Sequence, residues 1–148
     1  MLIRNMILED VPAAVEIEKQ CFSLPWSEKS FEESIQREDT IFLVCEDSEE
    51  HMVVGYMGAY VSFDEANVTN VAVSPDYRKR GCGEGLVISM MEHAKKAGAE
   101  RMFLEVRVSN VPAISLYKKQ GFEECGIIYL SNEGCIENKR IAYEKIVN

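Results

Sequence analysis

The segment at residues 67–86, NVTNVAVSPDYRKRGCGEGL, constrains the fold of this chain more than any other. It begins as an apolar, β-branched run, turns at Ser-Pro-Asp and then places three cations directly before three closely spaced glycines. An amphipathic helix is predicted to follow. The free N–H groups and positive dipole at a helix N-terminus attract anions, and glycines let an anion approach the backbone. The segment therefore predicts a strand, loop and helix that bind a phosphate-bearing small molecule.

Composition narrows the class of protein. The 148 residues, 47% of them apolar, fit one domain, and we assign residues 1–148 to it. No apolar run approaches the roughly 20 residues of a membrane helix and no signal peptide is evident, so we expect a cytoplasmic protein without a membrane partner. The net charge of −9 argues against direct nucleic-acid binding and suits a basic substrate. On charge alone, the three cations would equally suit a solvated turn.

Cysteine usage argues against both disulfides and metal. Five cysteines are spread along the chain without CxxC spacing, and only two histidines accompany them. Free thiols in a reducing compartment explain this pattern better than a disulfide framework or a zinc site. The five are Cys21, Cys45, Cys82, Cys125 and Cys135.

Hydrophobic periodicity predicts a mixed α/β fold. Strands are predicted at residues 2–6, 41–46, 52–63, 67–73, 101–108, 124–130 and 140–146. Helices are predicted from Asp10-Val11-Pro12, at 28–36, at 83–97 and at 110–120, with Asp10, Ser27 and Asn110 as N-caps and Gly98 and Gly121 as stops. Three strands before residue 74 should form an antiparallel meander, and the helix at 83–97 should make a right-handed crossover.

The glycine run matches neither of two common phosphate motifs. GxxxxGK[ST] is absent, and Leu86 stands where GxGxxG needs a glycine. What remains is RxxGxG from Arg78 to Gly83, preceded by VAV-x-P. With FSLPWSEKSF at 22–31 and LEVRVSNVPAISLYKKQGF at 104–122, it resembles the GCN5-related N-acetyltransferases (GNAT), and within them the branch that acetylates the N-terminal alanine of a ribosomal protein.

The resemblance implies the GNAT fold, a mixed and mostly antiparallel twisted sheet flanked by helices, and it implies acetyl-CoA as co-substrate without a metal. In that family the strand before the loop pairs with the pantetheine arm, here through Val71, Ala72 and Val73. Asn110 would contact the cofactor as well as cap its helix. The loop residues that would hold the pyrophosphate are Arg78, Lys79, Arg80, Gly81, Cys82, Gly83 and Glu84.

The same resemblance places the general base at Glu105 and the general acid at Tyr117. An amine must lose a proton to attack a thioester, and the departing thiolate must gain one, so a carboxylate and a phenol suit these roles. From spacing alone, Glu105 also fits an ordinary outward strand residue, and Tyr117 fits a buried helix residue. Transfer should be direct, so Cys82 is not predicted to be a nucleophile.

The acceptor half is specified less closely. The resemblance implies a protein N-terminus as acceptor, with a free amino acid, a polyamine or another small amine as the alternative. A non-catalytic acyl-CoA-binding module is a second alternative, although such a module needs neither Glu105 nor Tyr117. Glu65 could orient the amine or share the base role, and Trp26 could either pack or line the cleft. The branch usually carries a basic residue and paired tyrosines after GF, where this chain has only Tyr129.

Overall fold

The computed structural model describes residues 1–129 and 139–147. Its strands are β1 (Leu2–Asn5), β2 (Thr40–Asp47), β3 (Met52–Ser62), β4 (Glu65–Val73), β5 (Arg101–Arg107), β6 (Glu123–Tyr129) and β7 (Lys139–Ile146). Its α-helices are α1 (Val11–Cys21), α2 (Glu28–Ile35), α3 (Cys82–Lys96) and α4 (Val111–Lys119). The predicted elements are confirmed, with ends shifted by at most two residues.

The strands form one mixed sheet in the order β1-β2-β3-β4-β5-β7-β6. All neighbouring strands are antiparallel except β4 and β5, which are parallel and joined through α3. The meander β2-β3-β4 agrees with the sequence prediction, and β1 forms one edge of the sheet. The position of β7 between β5 and β6 was not predicted. Leu130, the last residue of the strand predicted at 124–130, and Cys135 lie outside the described residues.

Local capping signals mostly act as the sequence indicates. The Ser27 hydroxyl accepts a hydrogen bond from the Ser30 amide at 3.1 Å, and Gly98 and Gly121 adopt positive φ after α3 and α4. The prediction that the Asp10 side chain caps α1 is wrong. A short 3-10 turn at Leu8–Asp10 already places Asp10 in helical backbone, so its carboxylate accepts from the Ile7 amide and the Arg4 guanidinium instead.

Helices cover both faces of the sheet. The α3 face, which also carries α4, buries Leu43, Met57, Leu86, Met90 and Met102 among others. The α1 face, which also carries α2, buries Val11, Ile17, Phe31, Phe42 and Tyr56 among others. Each large apolar side chain buried in this way contributes about 1.5–3 kcal/mol. Because both faces of the sheet are packed, β4 does not need to pair with β5 along its whole length.

The sheet opens between β4 and β5. Only Glu65 to Asn67 pair with β5, opposite Arg101 to Phe103, whereas β4 stays paired with β3 as far as Val73. A bulge at Thr69 shifts the β3–β4 register, because Asn70 faces Gly58 and Val68 faces Ala59. A bulge bends a strand and strengthens its twist. The edge of β4 from residue 68 to 73 that faces β5 is consequently unpaired among the described residues.

Candidate active site

The unpaired edge of β4 carries the three residues predicted to hold pantetheine. Ala72 is buried, and Val71 and Val73 are half-buried, so the backbone edge lies inside the protein and not on an outer rim. An open strand edge offers N–H and C=O groups to an extended ligand in the way that it would to another strand. This geometry fits the predicted pantetheine site, and the individual contacts stay predictions.

The loop after β4 presents free backbone amides. Gly81 is the N-cap of α3 with φ of 85°, and a Cβ added there would meet nothing within 4 Å. The first helical hydrogen bond runs from the Gly85 amide to the Gly81 carbonyl at 2.9 Å. The three preceding amides, of Cys82, Gly83 and Glu84, therefore have no acceptor within the helix. Amides of this kind at the positive end of a helix suit an anion, and the pyrophosphate contacts of these residues stay predictions.

The cationic side chains of the loop brace it. The Arg78 guanidinium donates to the Val73 carbonyl at 3.3 Å and lies 3.4 Å from the Cys21 sulfur. The Arg80 guanidinium stacks over the Tyr77 ring, 4.9 Å from its centroid. Lys79 is exposed and has a positive φ of 63°, and Glu84 forms an ion pair with Lys119 at 3.3 Å. Arg78 thus holds the loop against β4, and Arg80 packs within the loop itself.

The predicted base lies in a cleft on the α1 face. Met102, Leu104 and Val106 of β5 belong to the core under α3, so Phe103 and Glu105 point to the opposite face, as the sequence alternation predicts. The cleft has a volume of about 470 Å³. Its lining residues are Tyr60, Glu65, Asn67, Val68, Phe103, Leu104, Glu105 and Ala142. The charged lining residues are both carboxylates, which favours a cationic amine.

The predicted acid lies on the other face. Tyr117 of α4 is 3% exposed, and its ring packs edge-on against Phe122 with centroids 5.8 Å apart. Burial raises the pKa of Tyr117 to about 12, so its phenol keeps its proton at neutral pH. Glu105 and Tyr117 therefore approach from opposite faces of the sheet. A shared action of Glu105 and Tyr117 on one reacting group at the gap between β4 and β5 stays a prediction.

Two polar residues near the loop have structural roles. The Asn110 side chain caps α4 by accepting from the Ala113 amide at 3.3 Å, which confirms the predicted cap and leaves its cofactor contact a prediction. Cys82 is only 2% exposed. A hydrogen bond with the Cys45 thiol and burial raise the pKa of the Cys82 thiol, so this residue is a poor nucleophile. The described cysteines are free thiols, as expected.

The three residues predicted for the acceptor are separated in space. Glu65 lines the cleft together with Glu105. Trp26 packs against Phe31 and Phe42, with ring centroids 5.3 and 6.2 Å apart, and is not among the lining residues. Tyr129 is 72% exposed at the end of β6, where the Lys139 ammonium lies 5.8 Å from its ring. An acceptor role for Trp26 and Tyr129 stays a prediction.

Several residues in or next to the cleft were not predicted from the sequence. Phe103 could have been found, because it alternates with Leu104 on the same predicted strand as Glu105. Tyr60 and Asn67 face each other across β3 and β4, in a register that depends on the bulge. Arg140 reaches Glu105 from β7, a neighbour that the chain order does not indicate.

Neither a metal site nor a membrane span is found in the described part of the chain. No group of three or more His, Cys, Asp or Glu side chains could hold a metal ion there. No helix within residues 1–129 and 139–147 is long and apolar enough to cross a membrane.

The sequence of this chain matches one family of known proteins. The model of the acetyltransferase (GNAT) family matches residues 11–122, which run from the start of α1 to just beyond α4. The chain belongs to the GNAT family. This confirms the resemblance and the predicted fold class, and it identifies this GNAT protein as an acetyl-CoA-dependent N-acetyltransferase. The alternative of a non-catalytic binding module is accordingly not favoured.

Relatives of this GNAT protein include bacterial proteins named as N-acetyltransferases. It is 42% identical over 126 residues to a putative [ribosomal protein bS18]-alanine N-acetyltransferase of Bacillus subtilis, covering 84% of this chain and 82% of the relative. It is 34% identical over 125 residues to the [ribosomal protein bS18]-alanine N-acetyltransferase of Escherichia coli K12, with the same coverage. The crystal structure of the Escherichia coli ribosomal-protein-S18-alanine N-acetyltransferase superposes with a TM-score of 0.86 at 31% identity, covering 99% of this chain and 93% of that one.

Proposed function

We propose that this GNAT protein acetylates the N-terminal α-amine of a protein, and that its acceptor is the N-terminal alanine of ribosomal protein bS18. The observation that carries the proposal is a cleft containing Glu65 and Glu105 directly beside the unpaired edge of β4. The acceptor itself is taken from the names of the relatives, two of which match 84% of the chain. Such an acceptor implies a cytoplasmic location.

The cofactor half rests on backbone groups. The β4 edge at Val71, Ala72 and Val73 would pair with pantetheine, and the free amides of Cys82, Gly83 and Glu84 would hold the pyrophosphate. Acetyl-CoA supplies a thioester whose carbonyl carbon can be attacked by an amine. The Arg78 contact with the Val73 carbonyl supports this arrangement, because it fixes the phosphate loop relative to the pantetheine strand.

Glu105 is the proposed base. Its side chain is 47% exposed, so an incoming amine can reach it from solvent, directly or through one water. Accepting a proton from the ammonium frees the nitrogen lone pair for attack on the thioester carbonyl. Glu65 in the same cleft would attract and orient the ammonium group before that transfer.

Tyr117 is the proposed acid. As the new C–N bond forms and the C–S bond breaks, its hydroxyl donates a proton to the departing sulfur. The phenol keeps its proton at neutral pH and can therefore supply one to the sulfur. A backbone N–H on the unpaired β4 edge can donate to the carbonyl oxygen as that oxygen gains negative charge. No covalent intermediate with Cys82 is required.

A direct assay tests the acceptor. Purified protein is given acetyl-CoA and a peptide with the first residues of bS18, starting at alanine, and release of the CoA thiol is followed. The matched control is the same peptide with its N-terminus already acetylated. Free alanine and a polyamine test the small-amine alternative. We expect thiol release only with the free peptide N-terminus, and turnover restricted to the small amines would contradict the proposal.

A further inference from the structure

A buried carboxyl group lies on α1 outside the cleft. Glu18 is 2% exposed. Its oxygens accept hydrogen bonds from the Trp26 backbone N–H at 2.9 Å, from the Asn70 side-chain amide at 3.2 Å and from the Tyr56 hydroxyl. Within the described residues its hydrogen-bond partners include no Lys, Arg or His. Both oxygens of the Glu18 carboxyl group therefore accept hydrogen bonds, which is what an ionised carboxylate requires.

Core packing alone does not explain this residue. Burying a carboxyl group without a cation carries a desolvation penalty, which hydrogen bonds offset only in part. An apolar side chain at position 18, beside Ala14 on the buried side of α1, would fill the same helix face without that penalty. A buried acid with three chosen partners therefore points to a role in fixing the position of those partners.

The partners belong to three segments: β3, β4 and the loop between α1 and α2. Asn70 directly follows the bulge at Thr69, where β4 parts from β5. Tyr56 lies on β3, opposite Ala72. Trp26 ends the loop between α1 and α2. The carboxyl group of Glu18 thus connects this loop to the part of β4 that flanks the opening of the sheet.

The loop starts beside the end of β4. In the β3–β4 register, Tyr56 and Tyr60 point to the same face of the sheet, and Tyr60 lines the cleft. The Cys21 sulfur, at the last residue of α1, lies 3.6 Å from the Val73 carbonyl. Residues 22–25 start from this point, and they expose the side chains of Phe22 (39%) and Leu24 (90%).

We infer that Glu18 is a positioning residue that holds the loop at residues 22–25 in place beside β4, so that the acceptor site is formed before the acceptor arrives. Phe22 and Leu24 then offer apolar contacts to the chain that follows the reactive amine. Preorganisation of this kind strengthens binding, because less ordering entropy is lost when the acceptor binds. The acceptor part of this inference rests on the proposed function.

The first test separates acceptor binding from cofactor binding. In Glu18→Gln one oxygen acceptor is replaced by a donor, so the three donors can no longer all be satisfied. We expect the KM for the alanine peptide to rise roughly tenfold, which corresponds to about 1.4 kcal/mol, with the Kd of acetyl-CoA unchanged. The matched control is Glu16→Gln on the exposed side of the same helix, which should change neither constant.

A second readout does not depend on turnover. Trp26 is the single tryptophan of the chain, so its fluorescence anisotropy reports on this loop. We expect faster local depolarisation in Glu18→Gln than in the wild type. If the wild type acetylates no peptide, the proposed function fails, and the anisotropy still decides whether Glu18 holds the loop.

Two results would overturn the inference. One is an unchanged anisotropy together with an unchanged peptide KM in Glu18→Gln. The other is an equal rise in the peptide KM and the acetyl-CoA Kd, which indicates a general structural role. Should Glu18→Gln fail to fold, Leu24→Ser tests the loop itself, because this side chain is 90% exposed. It should raise the peptide KM several-fold with an unchanged Tm, and an unchanged KM would count against the inference.

Discussion

The guanidinium Nη1 of Arg140 lies 3.9 Å from Oε1 of Glu105, across the β5–β7 pair. Both side chains are partly exposed, so this ion pair contributes little to stability, about 1 kcal/mol at most. We expect its effect on function to be larger, because Arg140 supplies a counter-charge and an orientation to the carboxylate in the cleft. The relationship arises only because β7 inserts beside β5.

Glu105→Gln should lower kcat by roughly 100-fold or more, since an amide of the same shape cannot accept the proton of the amine. Acetyl-CoA binding, measured by calorimetry, should be unchanged. The matched control is Glu144→Gln, because Glu144 of β7 lies on the same face of the sheet as Glu105 but does not line the cleft. A Glu105→Gln enzyme with wild-type kcat would exclude Glu105 as the base.

Arg140→Gln should lower kcat/KM for the peptide by about three- to tenfold, because the Glu105 carboxylate loses the group that orients it. Arg140→Lys keeps a positive charge and should restore part of the loss. Steady-state kinetics of the two variants provide the measurement. Equal losses in both variants would show that the charge of Arg140 is not what supports Glu105.

Tyr117→Phe should lower kcat by about 100-fold with little change in the acetyl-CoA Kd, because only a hydroxyl group is removed from a packed site. Thermal unfolding should show that the variant remains folded. The matched control is Tyr143→Phe, another buried tyrosine of the same core. An undiminished kcat in Tyr117→Phe would refute its role as acid.

Tyr117 should also make stability depend on pH in the alkaline range. Burial raises its pKa from 10 to about 12, so the fold favours the neutral phenol. The resulting stabilisation is fully present below pH 10 and is lost as pH rises from 10 to about 12, by about 2–3 kcal/mol in total. Urea unfolding of the wild type and Tyr117→Phe measures it: the difference in free energy of unfolding should shrink across this window and stay constant below it.

Gly58→Ala should destabilise the protein by about 1–3 kcal/mol through overpacking. A Cβ at this position would clash with the Phe42 ring, under α1 and next to the β4 bulge. Gly126→Ala is the control, because a Cβ there meets nothing within 4 Å. Urea denaturation of the two variants gives the comparison, and equal midpoints would contradict the packing of this face.

Local chemistry made much of the fold predictable. The order of the elements follows from hydrophobic periodicity, and the caps at Ser27 and Asn110 follow from side chains that reach amides within one helical turn. The alternation of β5 placed Glu105 opposite the core. The glycine loop and its flanking segments indicated the GNAT family and its cofactor. These signals act over a few residues and can be read without knowledge of the fold.

Tertiary structure decided how distant segments meet. The insertion of β7 brings Arg140 to Glu105, the Thr69 bulge sets which residues line the cleft, and the packing of α1 buries Glu18 among donors from three segments. The sequence by itself determined the elements, the phosphate loop and the family. Strand order, register and the opening between β4 and β5 depend on contacts between residues far apart in the chain. These contacts form only in the folded protein, and their combined free energy determines which arrangement of strands is stable.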